Sequence, residues 1–125
     1  MAQTQEQMRA VKAWECIEEV KGKGRSADKI EKEYRSLAVG CTAAFAMNGL
    51  AQTTAFWISK KDGAHGMITR HFGCWLKESL GWTTENILTD QTALKDTDSL
   101  KLATSEALAF GNWIKRFAAA ELKKG

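Results

Sequence analysis

Apolar residues recur at intervals of three and four along most of this chain, which is the spacing of one face of an α-helix. Ala10, Ala13, Trp14, Ile17 and Val20 predict a first helix from about residue 3 to 21. It stops at "GKGRS", where two glycines release the chain and Ser26 is placed to cap the next helix. Ile30, Tyr34, Leu37, Cys41 and Ala44 or Phe45 form the seam of a second helix, with Asn48 and Gly49 as its left-handed stop. A short helix from Leu50 to about Lys60 presents Leu50, Thr54, Trp57 and Ile58, and "KKDGAHG" then reads as a loop. Met67, Ile68, His71, Phe72, Trp75 and Leu76 give an amphipathic fourth helix, with Arg70, Gly73 and Lys77 outward and an end near Gly81. The polar run "WTTENILTDQTALKDTD" predicts one or two helical turns between caps, and Thr97 or Asp98 begins the last helix.

That last helix has the most unusual pattern. Ala103, Ala107, Phe110, Ile114 and Phe117 fall together, and Leu102, Ala109 and Trp113 widen the face. Lys101, Ser105, Asn112, Lys115, Arg116 and Lys123 gather on the opposite side. The apolar arc exceeds the roughly 100 degrees that a helix lying on a small core requires, so this helix is central in a bundle or also touches another chain. Glu106 and Glu121 fall within or beside the arc, and each needs a basic partner, an exposed position or an interface. Gly111 lies mid-helix, at a cost of about 1 kcal/mol relative to alanine, and either admits close approach by another helix or is only tolerated there. The small residues of "CTAAFAM" before Asn48 point to tight helix packing as well.

Composition narrows the class. The 125 residues include no proline and are rich in Ala, Leu, Lys and Glu, so the expectation is all-α: one domain over residues 1–125, a bundle of five or six helices with short connections. The formal charge of +3 is mild and does not by itself establish a nucleic-acid partner. Cys16, Cys41 and Cys74 are odd in number and set among apolar residues, which fits a reducing cytoplasm rather than a disulfide framework. The N-terminus lacks the apolar core of a signal peptide, and no run approaches a membrane span.

Candidate chemistry is sparse. His71 and Cys74 share a helix face, but no second pair completes a zinc site, and a satisfied core histidine beside a buried thiol is the expected reading. His65 reads as a loop or helix-entry residue. "GKGRS" lacks phosphate-loop spacing, and there is no nucleophile motif, so no enzyme, metal or cofactor is expected. The cationic positions are Lys21, Lys23 and Arg25 around the first connection, Arg35 on the second helix, Lys60 with Lys61, Arg70, and the pair Lys115 and Arg116. They are the candidates for contact with a phosphate backbone or a partner, without reading sequence. Most of the five tryptophans occupy seam positions and are expected in the core; Trp82, in a polar segment, is the candidate interface anchor.

Two stretches, "YRSLAVGCTAAFAMNGLAQTTAFWISK" at 34–60 and "LATSEALAFGNWIKRFAAAEL" at 102–122, resemble the small-subunit family of type III-B CRISPR effector complexes, the Cmr complexes. The match runs through Asn48, Gly49, Leu50, Gln52 and Phe56 in the first block. In the second it runs through Leu102, Ala103, Glu106, Ala107, Trp113, Lys115, Arg116, Phe117 and Glu121. The resemblance implies a non-catalytic subunit that stacks in copies beside the backbone subunits and the polymerase-like large subunit and helps hold guide and target RNA for antiviral defence. The competing readings are a helical protein-interaction module that never touches nucleic acid, with Trp82 and the last helix as contacts, the type III-A small subunit, and an enzyme built around His71.

Overall fold

The computed structural model describes residues 3–22, 28–60, 62–89 and 95–124. Four α-helices follow one another: α1 (Gln5–Lys21), α2 (Asp28–Lys60), α3 (Gly63–Leu80) and α4 (Thr97–Glu121), with one 3₁₀ turn at Ile87–Thr89 and no strand among the described residues. Ser26, the expected cap of α2, lies outside them.

The all-α class holds, but the count is four rather than five or six. The backbone leaves helical geometry at Gly49 (φ 80°, ψ 166°), the stop expected there, but helix resumes at once without a connecting loop, so the two runs predicted on either side count as arms of one bent element. No neighbouring atom crowds the Gly49 Cα, so it is the positive φ that calls for glycine. The predicted "KKDGAHG" loop is also mostly helix. Asp62 accepts a hydrogen bond from the His65 backbone NH at 2.9 Å, and this cap starts α3 at Gly63. At the other end of α3, Gly81 takes the left-handed conformation expected of a stop (φ 72°, ψ 28°).

Helix α4 is the centre of the bundle, which accounts for its wide apolar arc. It packs against α1 on one flank and runs antiparallel to α2 on the other, where Arg35 meets Ala119 and Cys41 meets Gly111. Phe110 and Ile114 are fully buried, each contributing about 2 kcal/mol of apolar burial. Phe72 joins the layers, its ring centroid 5.1 Å from that of Phe45 and 5.3 Å from that of Phe110, and Trp75 stacks on Phe110 at 5.4 Å. A Cβ at Gly111 would sit 3.2 Å from both Cys41 Sγ and Thr42 Cγ2, so the glycine permits the close approach anticipated from its position. Trp14, expected in the core, is instead 41% exposed, with its ring edge against Phe117.

Gly73 departs furthest from its expected outward position. It is buried beneath the 82–86 connection, and a Cβ there would lie 1.8 Å from the Glu85 carbonyl oxygen. Helical periodicity placed it on the polar side, but that side is covered by the chain's own return from α3.

Among the described residues most buried polar groups are paired; Arg35 Nε and Ser79 Oγ are the exceptions. Arg9 grips Glu106 with Nε at 2.6 Å and Nη2 at 2.9 Å, and Trp75 Nε1 donates to the same carboxylate at 3.0 Å. Burial would raise the Glu106 pKa, but the Arg9 and Trp75 hydrogen bonds outweigh it and hold the group below its ordinary value. His71 is the core histidine expected from the sequence. The Tyr34 hydroxyl donates to its Nδ1 at 2.7 Å, which leaves Nε2–H to donate to Glu19 at 3.2 Å. Burial pushes the His71 pKa down to about 4 despite Glu19.

Two measurements test these assignments. Gly73→Ala should lower the urea midpoint by the equivalent of about 2–4 kcal/mol, because backbone must move, whereas Gly66→Ala, with open space around it, should raise stability by about 0.5 kcal/mol. The second is a pH profile of stability. Neutral His71 is favoured in the fold and the unfolded chain takes up the proton near pH 6.5, so its contribution is complete above that pH. It declines by about 3 kcal/mol as pH falls toward 4. His71→Gln should be less stable throughout and should lose the slope between pH 5 and 6.5; an unchanged slope would assign it to other groups.

Candidate nucleic-acid interface

The cations singled out by sequence divide into those engaged inside the fold and those left free. Lys21, at the end of α1, lies 3.7 Å from Glu18 and 4.0 Å from Glu121, which supplies the basic partner Glu121 needed. Arg35 reaches across to α4 and donates to the Ala119 carbonyl at 3.4 Å, a position at the negative end of that helix, while its buried Nε has no hydrogen-bond partner. Arg70 pairs with Glu19, and that carboxylate, which burial would raise, is held below its ordinary pKa by Arg70 and then His71. Lys60 places its Nζ 4.8 Å from the centroid of the Phe56 ring. Lys23, Arg25 and Lys61 lie outside the described residues. Trp82 is half-buried and packed against the core, so part of its ring serves the fold.

Lys115 and Arg116 are different. Both are exposed, and neither has an ion-pair partner among the described residues. Lys101, Ser105 and Asn112 are exposed along the same outer side of α4. Glu106 is the one carboxylate between residues 99 and 120, and it is turned inward onto Arg9 and Trp75. The outer side of α4 therefore carries three cations and no exposed carboxylate from Lys101 to Arg116, about 22 Å of helix. Flexible cations on a rigid rod without opposing charge are suited to a phosphate backbone and cannot read base sequence.

The bend in α2 creates a second feature that periodicity did not reveal. A groove of about 450 Å³ opens between the two arms, with Leu37, Gly40, Ala44 and Trp57 as its apolar lining and Asn48, Gln52 and Phe56 along it. The sequence signal was the spacing of Asn48, Gln52 and Phe56 by four, but a stop at Gly49 had assigned the first to folding.

Neither the thiols nor the histidines assemble a reactive site. Burial pushes Cys16 and Cys41 up to about 12, which keeps them as inert thiols. Both nitrogens of His71 are engaged by Tyr34 and Glu19, so it does not join Cys74 as a ligand. Glu33, Asp62 and His65, which sequence did not bring together, place ligand atoms within 4.8 Å of one another. His65 Nδ1 is 2.7 and 2.8 Å from the two Asp62 oxygens, and this contact belongs to the helix cap. No helix among the described residues is long and apolar enough to cross a membrane.

Comparison with known proteins gives a consistent result. The chain is 31% identical over 122 residues to the CRISPR system Cmr subunit Cmr5 of Thermus thermophilus, spanning 97% of this chain and 98% of that one. It also superposes on the crystal structure of a CRISPR-associated Cmr5 family protein from Thermus thermophilus with a TM-score of 0.73 at 30% identity. That superposition covers 95% of this chain and 97% of the other. A family model described as CRISPR-associated protein (Cas_Cmr5) matches residues 5–121, and the chain belongs to that family.

Proposed function

We propose that this chain is a non-catalytic structural subunit of a type III-B CRISPR (Cmr) ribonucleoprotein, stacking in copies and holding guide and target RNA by their backbones in cytoplasmic antiviral defence. Family membership supports the assembly, and the carboxylate-free outer side of α4 with Lys101, Lys115 and Arg116 carries the RNA contact. The net charge is small, but copies repeated along an assembly add their weak phosphate contacts, so that an RNA spanning several is held far more firmly than by one. Contacts to neighbouring subunits have their own candidate surface. Met8, Val11 and Trp14 on α1 are 39, 45 and 41% exposed, an apolar stripe on a helix whose other side is buried.

The test is the double variant Lys115→Ala, Arg116→Ala in the assembled complex. RNA affinity should fall uniformly across sequences, and the slope of log affinity against log salt should shrink by about one for each phosphate that is no longer neutralised. A slope equal to that of the wild type would remove this pair from the RNA path. Partner binding that is insensitive both to salt and to ribonuclease would favour the protein-interaction module instead.

A further inference from the structure

The α4 face accounts for phosphates but leaves the elbow of α2 unexplained. Its groove has an apolar lining, yet Asn48 and Gln52 bring two side-chain amides to it that have no hydrogen-bond partner among the described residues. One turn further on, Phe56 is 54% exposed, an unusual state for a phenylalanine in a chain this size. Lys60 holds its ammonium 4.8 Å from that ring, and the His65 ring meets it edge-on at 6.4 Å. An aromatic ring and two amides able to donate and accept therefore line one concavity, and a cation sits over that ring.

The occupant that satisfies all of these has flat apolar faces, hydrogen-bonding atoms on its edge and a negative charge attached. An α-helix of another protein satisfies its own backbone, so it would have to bring polar side chains to both Asn48 and Gln52 as well as an apolar face to Phe56. A nucleobase meets each requirement. Its face stacks on the aromatic ring, its edge pairs with amides, and its phosphate lies within reach of a neighbouring lysine. We infer that the elbow groove of α2 is a pocket for one unstacked base of single-stranded RNA, lying against Phe56 with its edge at Asn48 and Gln52. The inference rests on the RNA-holding reading above and adds to it a contact with a base where α4 supplies contacts with phosphates alone.

The experiment compares two probes on the full-length protein at low salt: an RNA octamer, as oligouridine and oligoadenosine, and an abasic octamer with the same ribose-phosphate backbone. The base-bearing octamers should bind about fivefold or more tightly than the abasic one. Phe56→Ala should erase that difference while leaving abasic binding unchanged, and Phe56→Tyr should retain it. Lys115→Ala with Arg116→Ala should weaken both probes alike. The side-chain amide signals of Asn48 and Gln52 should shift with the base-bearing probes only. Equal binding of the two probes, including no binding of either, or a Phe56→Ala variant that keeps the preference, overturns the pocket. The RNA-holding reading is judged separately by the salt slope of the assembled complex, so either can fail without the other.

Discussion

Everything that faces outward on this chain depends on how closely α4 can lie against α2. At Gly111 space is tight, since a methyl group would stand 3.2 Å from Cys41 Sγ and Thr42 Cγ2 and those side chains would have to give way. The Cys41 thiol lies 3.7 Å from the Gly111 carbonyl oxygen, so side chain meets backbone directly at the crossing. That contact sets the rotation of α4, directing Phe110 and Ile114 into the core and Lys115 and Arg116 to the surface. A glycine that weakens the helix locally thus allows the dispersion and burial that hold the bundle together.

The same packing decides the electrostatics. A formal charge of +3 spread evenly would distinguish no surface. The fold instead consumes carboxylates selectively: Glu106 inside the bundle on Arg9 and Trp75, Glu19 on Arg70 and His71, Glu121 beside Lys21. Each removed carboxylate leaves the cations on the outer side of α4 less opposed. Each of these pairs consumes a cation as well, and Lys115 and Arg116 are left exposed without an ion-pair partner among the described residues, where their field is screened and salt-dependent.

The bend at Gly49 has the opposite character. It ends one helical run and starts the next with no loop between them, so the second arm folds over α3, where Trp57 and Phe72 meet, and leaves a hollow beside the first arm. Phe56 stays outside while its neighbour Trp57 is buried, because consecutive residues of a helix point about 100 degrees apart. Exposed cations and an aromatic, amide-bearing groove therefore sit on separate elements of the fold.

By itself the sequence determined the all-α class, the seams of α1, α3 and α4, the left-handed stop at Gly49, the end of α3 near Gly81, the pairing demanded by Glu106 and the core role of His71. These are local or near-local properties, governed by period, propensity and the cost of burying charge. The family resemblance was legible too, in two stretches that carry fold-defining and cationic residues together. What only the tertiary structure decided was which polar-side positions are covered. Gly73 lies under the 82–86 connection, Trp14 remains outside, Arg35 and Arg70 are engaged within the fold, and the arms of α2 form one bent helix. A single sequence records which face of a helix is apolar, but the path of a distant segment across the other face follows from packing among all the elements at once.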